Sequence, residues 1–410
     1  MLLVAALLAA CSGEDAAIPT TNSVAETTTT VHTDDGTLVI GAVIPSSGSG
    51  ADIGASLATG LAVAVAEINT AGGVNGRPVR LITLDEGDNP TSASLSMQEL
   101  VLAVDAIIGP TSSTNALGTL SIAVDAGILT CSPTATALAL DDFPDDGLFF
   151  RTIPSDSLQA RAIAATVEAS GGSTTAIVHL DDAYGRPFAE AARSAITAGG
   201  TVVTDQIGFI PTEDSIAEAV AAVVAADPDV VTVIADSVSG PAIINAIDAE
   251  AGSGVSYVVN DAIRRPAAST QPFPARLSRR VVGVAPQALS GSTTFTDSLL
   301  AVDPGTTALF AHNAYDCLAI IALAATASGS AQPADMASAI VAVTSSGTDC
   351  ATFTACATAL SEGRNINYNG PSGNLSIDND GNVATVDFDR FGFDSTGRDV
   401  GDGELAVGDG

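Results

Sequence analysis

The sequence contains no lysine and no tryptophan. All 14 basic residues are arginines, set against 47 Asp and Glu, which leaves a formal net charge of −33. A polyanionic partner needs a basic footprint, so nucleic acid is not an expected partner. The carboxylates are spread along the chain and read as solvated surface rather than as one site. Two origins of the Arg-only, Ala-rich usage stay open: GC-rich coding, or an acidic surface suited to a saline habitat. Histidine is scarce, with His32, His179 and His312 far apart. No Ser/His/Asp set can be argued from them, and no G-x-S-x-G, H-E-x-x-H or P-loop is present. The five cysteines match no zinc spacing. A catalytic role, a cofactor and a bound metal are therefore not expected.

What is present begins with a short apolar run, residues 1 to 10, too short for a bilayer that needs about 20 apolar residues. It suits the core of a secretion signal. Leu8-Ala9-Ala10-Cys11 resembles the bacterial lipobox, in which the cysteine is acylated and becomes the first mature residue. No basic residue precedes the run, so the natural start is expected upstream of Met1. Residues 1–11 are then a lipoprotein signal, and the polar, Thr-rich residues 12–36 a flexible tether. No second run reads as a membrane span.

From residue 37 strands and helices alternate. "TLVIGAVIP" reads as a strand, and Leu57, Leu61, Val65 and Ile68 mark a helix over 54–71. The rhythm β-α-β continues to "GILTC", restarts at "LFFRTIPSD" and runs to "RVVGVAP". An α/β fold with parallel sheets and helices on both faces follows. Helices are expected near 292–302, 306–327 and 333–343, a β-hairpin in "NLSIDNDGNVATVDFDRF", and a frayed end at 399–410. "DNDGN" (378–382) begins like a calcium loop, but Val383 and Asp389 stand where the turn glycine and bidentate Glu belong. "SSGSGADIG" (46–54) is one residue out of register for a dinucleotide fingerprint.

In open parallel sheets, ligands bind beyond the carboxyl ends of the strands. The first half offers Ser46 and Ser47, Asp85 and Glu86, then "GPTSST" (109–114) and "CSPTAT" (131–136). Hydroxyls beside a helix N-terminus can seat a carboxylate. The second half offers Asp181, Asp182, Tyr184, Asp236 and Asp261. One half favours an anionic group and the other a cationic one, so a small zwitterion between them satisfies both.

Several motifs in order carry a likeness over residues 38–393: "IGAVIPSSGSGADIG", "GLAVAVAEINTAGGVNGRPVRLITLDEGDNP", "IIGPTSSTNAL", "SPTAT", "FFRT", "DDAYG", "NAYDCLAIIALA" and "GPSGNLSIDNDGN". The chain resembles the leucine/isoleucine/valine-binding branch of the type I periplasmic binding proteins, the solute receptors of ATP-driven importers. The resemblance implies two lobes, 37–153 plus 284–370 and 154–283 plus 371–398, each a parallel sheet flanked by helices and joined by a multi-strand hinge. It also implies a monomer that delivers its ligand to a membrane permease and its ATPase subunits. By the same likeness Ser112, Ser113, Thr134 and Thr136 meet the ligand carboxylate, Tyr184 lines the cleft, and an acid near Asp261 holds the ammonium. The family's cleft aromatics are absent at Ile53 and around Asp236 and Ser237. An amino acid is the expected ligand, while amides, urea-like compounds and other small polar solutes stay open. Sensing through a partner receptor and an exported enzyme are the alternative roles. In an oxidising compartment Cys350 and Cys356, with five residues between them, are expected to pair; a second bond between Cys131 and Cys317 is left open.

Overall fold

Strands with no polar face must be covered on both sides, and β1 (Val39–Ile44) is buried from Ile40 onward. The computed structural model describes residues 35–252, 254–286 and 293–406. The expected lipid anchor at Cys11 lies outside them. After β1 come α1 (Ala51–Thr70), β2 (Arg80–Asp85), α2 (Pro90–Leu100), β3 (Ala106–Ile108), α3 (Ser113–Asp125), β4 (Leu129–Ser132) and β5 (Phe149–Arg151). The five strands form one all-parallel sheet in the order β2-β1-β3-β4-β5.

The rhythm repeats in α4 (Asp156–Ala169), β6 (Thr174–Leu180), α5 (Gly185–Ala198), β7 (Val202–Phe209), α6 (Glu213–Ala226), β8 (Val230–Ile234), α7 (Ser239–Ala251), β9 (Ser256–Val259) and β10 (Val281–Pro286). These strands stand in the order β7-β6-β8-β9-β10, the same winding as in the first sheet. The chain then gives α8 (Thr293–Val302), α9 (Ala311–Ser328), α10 (Pro333–Ser345), β11 (Thr348–Cys350), α11 (Phe353–Ser361), β12 (Ile366–Tyr368), β13 (Asp387–Phe393) and β14 (Asp399–Ala406). Strands β13 and β14 add antiparallel to the β10 edge of the second sheet.

Each sheet has helices on both faces. In the first half α1, α9, α10 and α11 share one core with the sheet, and α2 and α3 cover its other face. In the second half α6 and α7 cover one face, α4 and α5 the other. Helix α1 is long and apolar enough to span a membrane, yet Leu57, Leu61, Ala64 and Ile68 are fully buried in the core. Its apolarity is that of a core helix. The chain passes between the halves three times: between β5 and α4, between β10 and α8, and between β12 and β13.

Three expectations need correction. Residues 399–406 are not a frayed end but strand β14, whose first residue is fastened by its side chain: Asp399 accepts from Arg264 Nε at 3.1 Å and from the Arg265 backbone N–H at 2.5 Å. The true hairpin is β13–β14, turning at 394–398. The stretch around "DNDGN" forms only the bridge Ile377–Val383, because Leu375, Ile377 and Val383 are buried in the core of the first half. The passage to the second half therefore follows Val383 rather than beginning at 371. Likewise 284–286 belong to β10 and the second sheet, not to the first half.

Candidate functional site

The order 2-1-3-4-5 reverses direction at its first strand, and the crevice outside the carboxyl ends there is where such sheets bind ligands. Both sheets have that order, and their strand ends line one cavity of about 370 Å³. The first half supplies the turn after β1 (Pro45, Ser49, Gly50), the turn after β2 (Glu86 to Asp88), the start of α3 (Thr111 to Asn115), and Thr134 and Thr136 after β4. The second half supplies Asp182 and Tyr184 after β6, Asp236 and Ser237 after β8, and Asp261 after β9. Phe310, at the start of α9, completes the lining. Ser112, Ser113, Thr134, Thr136, Tyr184, Asp236 and Asp261 all stand on this one cavity.

The local chemistry of the first wall differs from the expectation. Glu86 is 1% exposed and its carboxylate lies at the N-terminus of α3. It accepts from the N–H groups of Thr111 (2.8 Å) and Ser112 (2.9 Å), from the Thr111 hydroxyl and from Asn115 Nδ2 (2.9 Å). Burial raises its pKa, and the four donors oppose that shift. The Ser113 hydroxyl accepts from the N–H groups of Thr136 and Ala137, and the Thr134 hydroxyl donates to the Thr111 carbonyl. The donors expected to meet a ligand carboxylate are thus largely engaged inside the protein.

The turn after β1 follows the same plan. Ser46 and Ser47 donate backbone N–H groups to Asp85, and Ser49 donates to Asp88. Gly54 explains the glycine-rich turn: a Cβ there would lie 1.6 Å from the Pro45 carbonyl oxygen, so α1 can start against the end of β1 only with glycine.

In the second half Asp182 caps α5 by accepting from the N–H groups of Tyr184 (3.0 Å) and Gly185 (2.7 Å). Asp236 caps α7 by accepting from Val238 (2.8 Å) and Ser239 (2.6 Å). The Tyr184 hydroxyl accepts from Asn260 Nδ2 at 2.8 Å, and burial pushes its pKa well up. Asp261 is 6% exposed and accepts from Gln159 Nε2 at 3.1 Å. Behind Thr136, and within electrostatic reach of Tyr184 and Asp261, sits Asp156, which is 0% exposed and whose carboxyl oxygens make no short hydrogen bond, with the Thr136 hydroxyl beside them. Burial pushes it well above the usual carboxylate range; the nearby Thr136 hydroxyl opposes the shift and the charge of Asp261 adds to it. Asp261 is raised by burial too.

Sequence reasoning named Glu86 only as one of the strand-end residues and missed Asp156. The signal for Glu86 was available. An acid directly after β2 faces the start of α3 on neighbouring strand ends, and those free N–H groups need an acceptor. Asp156 gave no signal, because in sequence it reads as a first-turn helix acid. Among the described residues no group of three or more His, Cys, Asp or Glu is placed to hold a metal ion.

A two-half α/β body with a cavity at paired strand ends is the architecture of a solute receptor. Residues 37–384 match the family described as Periplasmic binding protein, and the chain belongs to that family of extracytoplasmic binding proteins. It is 30% identical to the chemotactic signal transduction system substrate-binding protein BasB of Halobacterium salinarum, over 83% of each chain. It resembles in fold a leucine-binding protein from Thermotoga maritima (TM-score 0.74, 16% identity, 90% of this chain and 99% of that one). A solute-binding protein of an ABC transporter from R. palustris, solved with benzoate, is similar too (TM-score 0.72, 19% identity, 90% and 97%).

Proposed function

We propose that this protein captures a small polar solute bearing an amino group, an amino acid or a related amine, in the cavity between its halves and delivers it to a membrane permease. The observation that carries this is the lining itself. Strand ends of both sheets contribute polar side chains to one cavity, so a ligand touching both halves binds the closed arrangement better than the open one. Thermal shift against amino acids, amides, amines and small polyols tests it, since a ligand at 100 times its dissociation constant adds about 2.7 kcal/mol. No shift from any solute counts against the reading.

A second reading, sensing through a partner receptor, is favoured by the likeness to BasB over 83% of both chains. Loss of the gene would then abolish directed swimming toward the ligand and leave its uptake intact; loss of uptake alone favours the permease. Either role needs the body held outside the cytoplasmic membrane, which acylation of Cys11 would provide. A Cys11→Ala variant carrying a complete signal is expected in the soluble fraction; retention on the membrane at unchanged mass removes the anchor from the proposal.

A further inference from the structure

We propose that the ligand is a small organic cation without a carboxylate, a primary amine or a guanidinium compound. This rests on the receptor reading above and narrows its ligand. Five carboxylates line the cavity: Glu86, Asp88, Asp182, Asp236 and Asp261. Among the described residues no Arg, Lys or His side chain lines it with them. An anionic ligand would enter against that field with no counter-charge, and a zwitterion would satisfy it only at one end.

The usual refuge for a carboxylate in such a fold is a helix N-terminus. Here those seats hold the protein's own acids. Glu86 takes the start of α3, Asp182 that of α5, Asp236 that of α7, and Asp85 and Asp88 the turn leading into α1. Where such an acid is ionised, its full negative charge outweighs the partial positive charge of a helix end, about half an elementary charge. The rim is therefore negative as well as occupied.

Asp156 is an independent pointer. A buried carboxyl with only a hydroxyl beside it is costly to ionise unless a positive charge offsets its own. Asp156 does not itself line the cavity; it lies behind Thr136, whose carbonyl accepts its backbone N–H at 2.9 Å, and within electrostatic reach of Tyr184 and Asp261, all three cavity residues. The cations near the pair do not fill that role. The Arg151 guanidinium is spent on Asn382 and Asp141, and that of Arg264 on Asp399. The Arg265 guanidinium binds the carbonyls of Ser237, Ile263 and Arg264. An ammonium or guanidinium placed between Tyr184 and Asp261 would set a positive charge within electrostatic reach of both acids. With Asp141, Arg151, Arg264 and Thr136 as their other surroundings, Asp156 and Asp261 both have pKa values raised by burial. Arrival of a cation favours their ionised forms, so binding releases protons and tightens as pH rises.

Paired probes differing only in the carboxylate test this. Calorimetry and thermal shift compare agmatine with arginine and 3-methylbutylamine with leucine, with benzoate and a neutral amide alongside. The amines are expected to bind at least tenfold more tightly than their carboxylated partners, with an observed binding enthalpy that changes in proportion to the ionisation heat of the buffer as it takes up the released protons. Asp156→Asn is expected to weaken agmatine at least tenfold while leaving the melting temperature of the free protein equal or higher, which a purely structural role would lower. If that variant does not fold, Asp261→Asn reads the same loss. Arginine, leucine or benzoate binding as well as the amines overturns the cation and leaves the receptor reading standing. A panel in which no solute binds removes both.

Discussion

Arg151 is charged and has no exposed surface. Its Nε donates to Asn382 Oδ1 at 2.9 Å, a terminal nitrogen reaches the same oxygen at 2.6 Å, and the guanidinium pairs with Asp141. Asp141 is 29% exposed and keeps the Ser155 hydroxyl, so removing Arg151 strands it only in part, at about 1 to 3 kcal/mol rather than the cost of a fully buried pair. Arg151→Leu is expected to lose that much in urea unfolding; a loss below about 1 kcal/mol would show that Asp141 and Asn382 find water instead. Asp316, on α9, is a buried acid of another kind. It accepts from Tyr368 at 2.5 Å and from the Ser372 N–H at 2.8 Å, yet burial raises its pKa from 3.8 to about 7. The folded chain keeps this proton where the unfolded chain has released it. Its contribution to stability is complete below about pH 3.8 and is lost as pH rises through about 7. The melting temperature of the wild type is expected to fall across pH 5 to 8 more steeply than that of Asp316→Asn; parallel curves would assign the slope to other groups.

Two cysteine pairs stand at bonding distance, Cys131 with Cys317 (1.93 Å) and Cys350 with Cys356 (2.00 Å). The first joins β4 to α9 across 186 residues of sequence, and the second closes a separation of only 6 beside α11. In the chain-entropy model the long loop is worth about 5 kcal/mol and the short one about 2. The double variant Cys131→Ala/Cys317→Ala is expected to melt well below Cys350→Ala/Cys356→Ala. The reverse order, or free thiols at all four positions in the exported protein by intact mass, would contradict the pairing. The elements themselves differ in how far they could be read. The repeated β-α-β rhythm is legible because parallel strands are short apolar runs and the helices carry a 3.6 period. Helix α11 hides behind the pair Cys350 and Cys356, of which only Cys356 lies on the helix. Strand β14 hides because Gly401 and Gly403 are poor strand formers; its pairing with β13 and the grip on Asp399 hold it in place. The cavity rim follows from strand ends alone, whereas the internal acids that fill its donor turns depend on which strands are neighbours.

At the scale of the molecule, a net charge of −33 on one chain is a self-repulsion present in every folded copy. Salt shortens the reach of that repulsion from about 10 Å at 0.1 M to about 3 Å at 1 M. The melting temperature is therefore expected to climb as sodium chloride rises from about 0.1 M to about 2 M. A flat or falling curve by calorimetry would show that local caps and pairs, not the overall field, dominate the acidic surface. The same field concentrates cations around the cavity mouth before any of them docks.

The contact between Arg151 and the 378–382 turn also has a mechanical meaning. Arg151 opens the first passage between the halves, and Asn382 lies at the head of the third. The Arg151 backbone N–H joins them again by donating to the Gly381 carbonyl at 3.0 Å. Three separate ribbons could bend, shear or twist in any mixture. Two of them riveted at one point act as a single leaf, stiff against sliding and free to flex about the line through the rivet. Such a rivet is expected to favour a swing of the halves, like a book on its spine, over skewing, so that the two walls of the cavity meet in one register when they close.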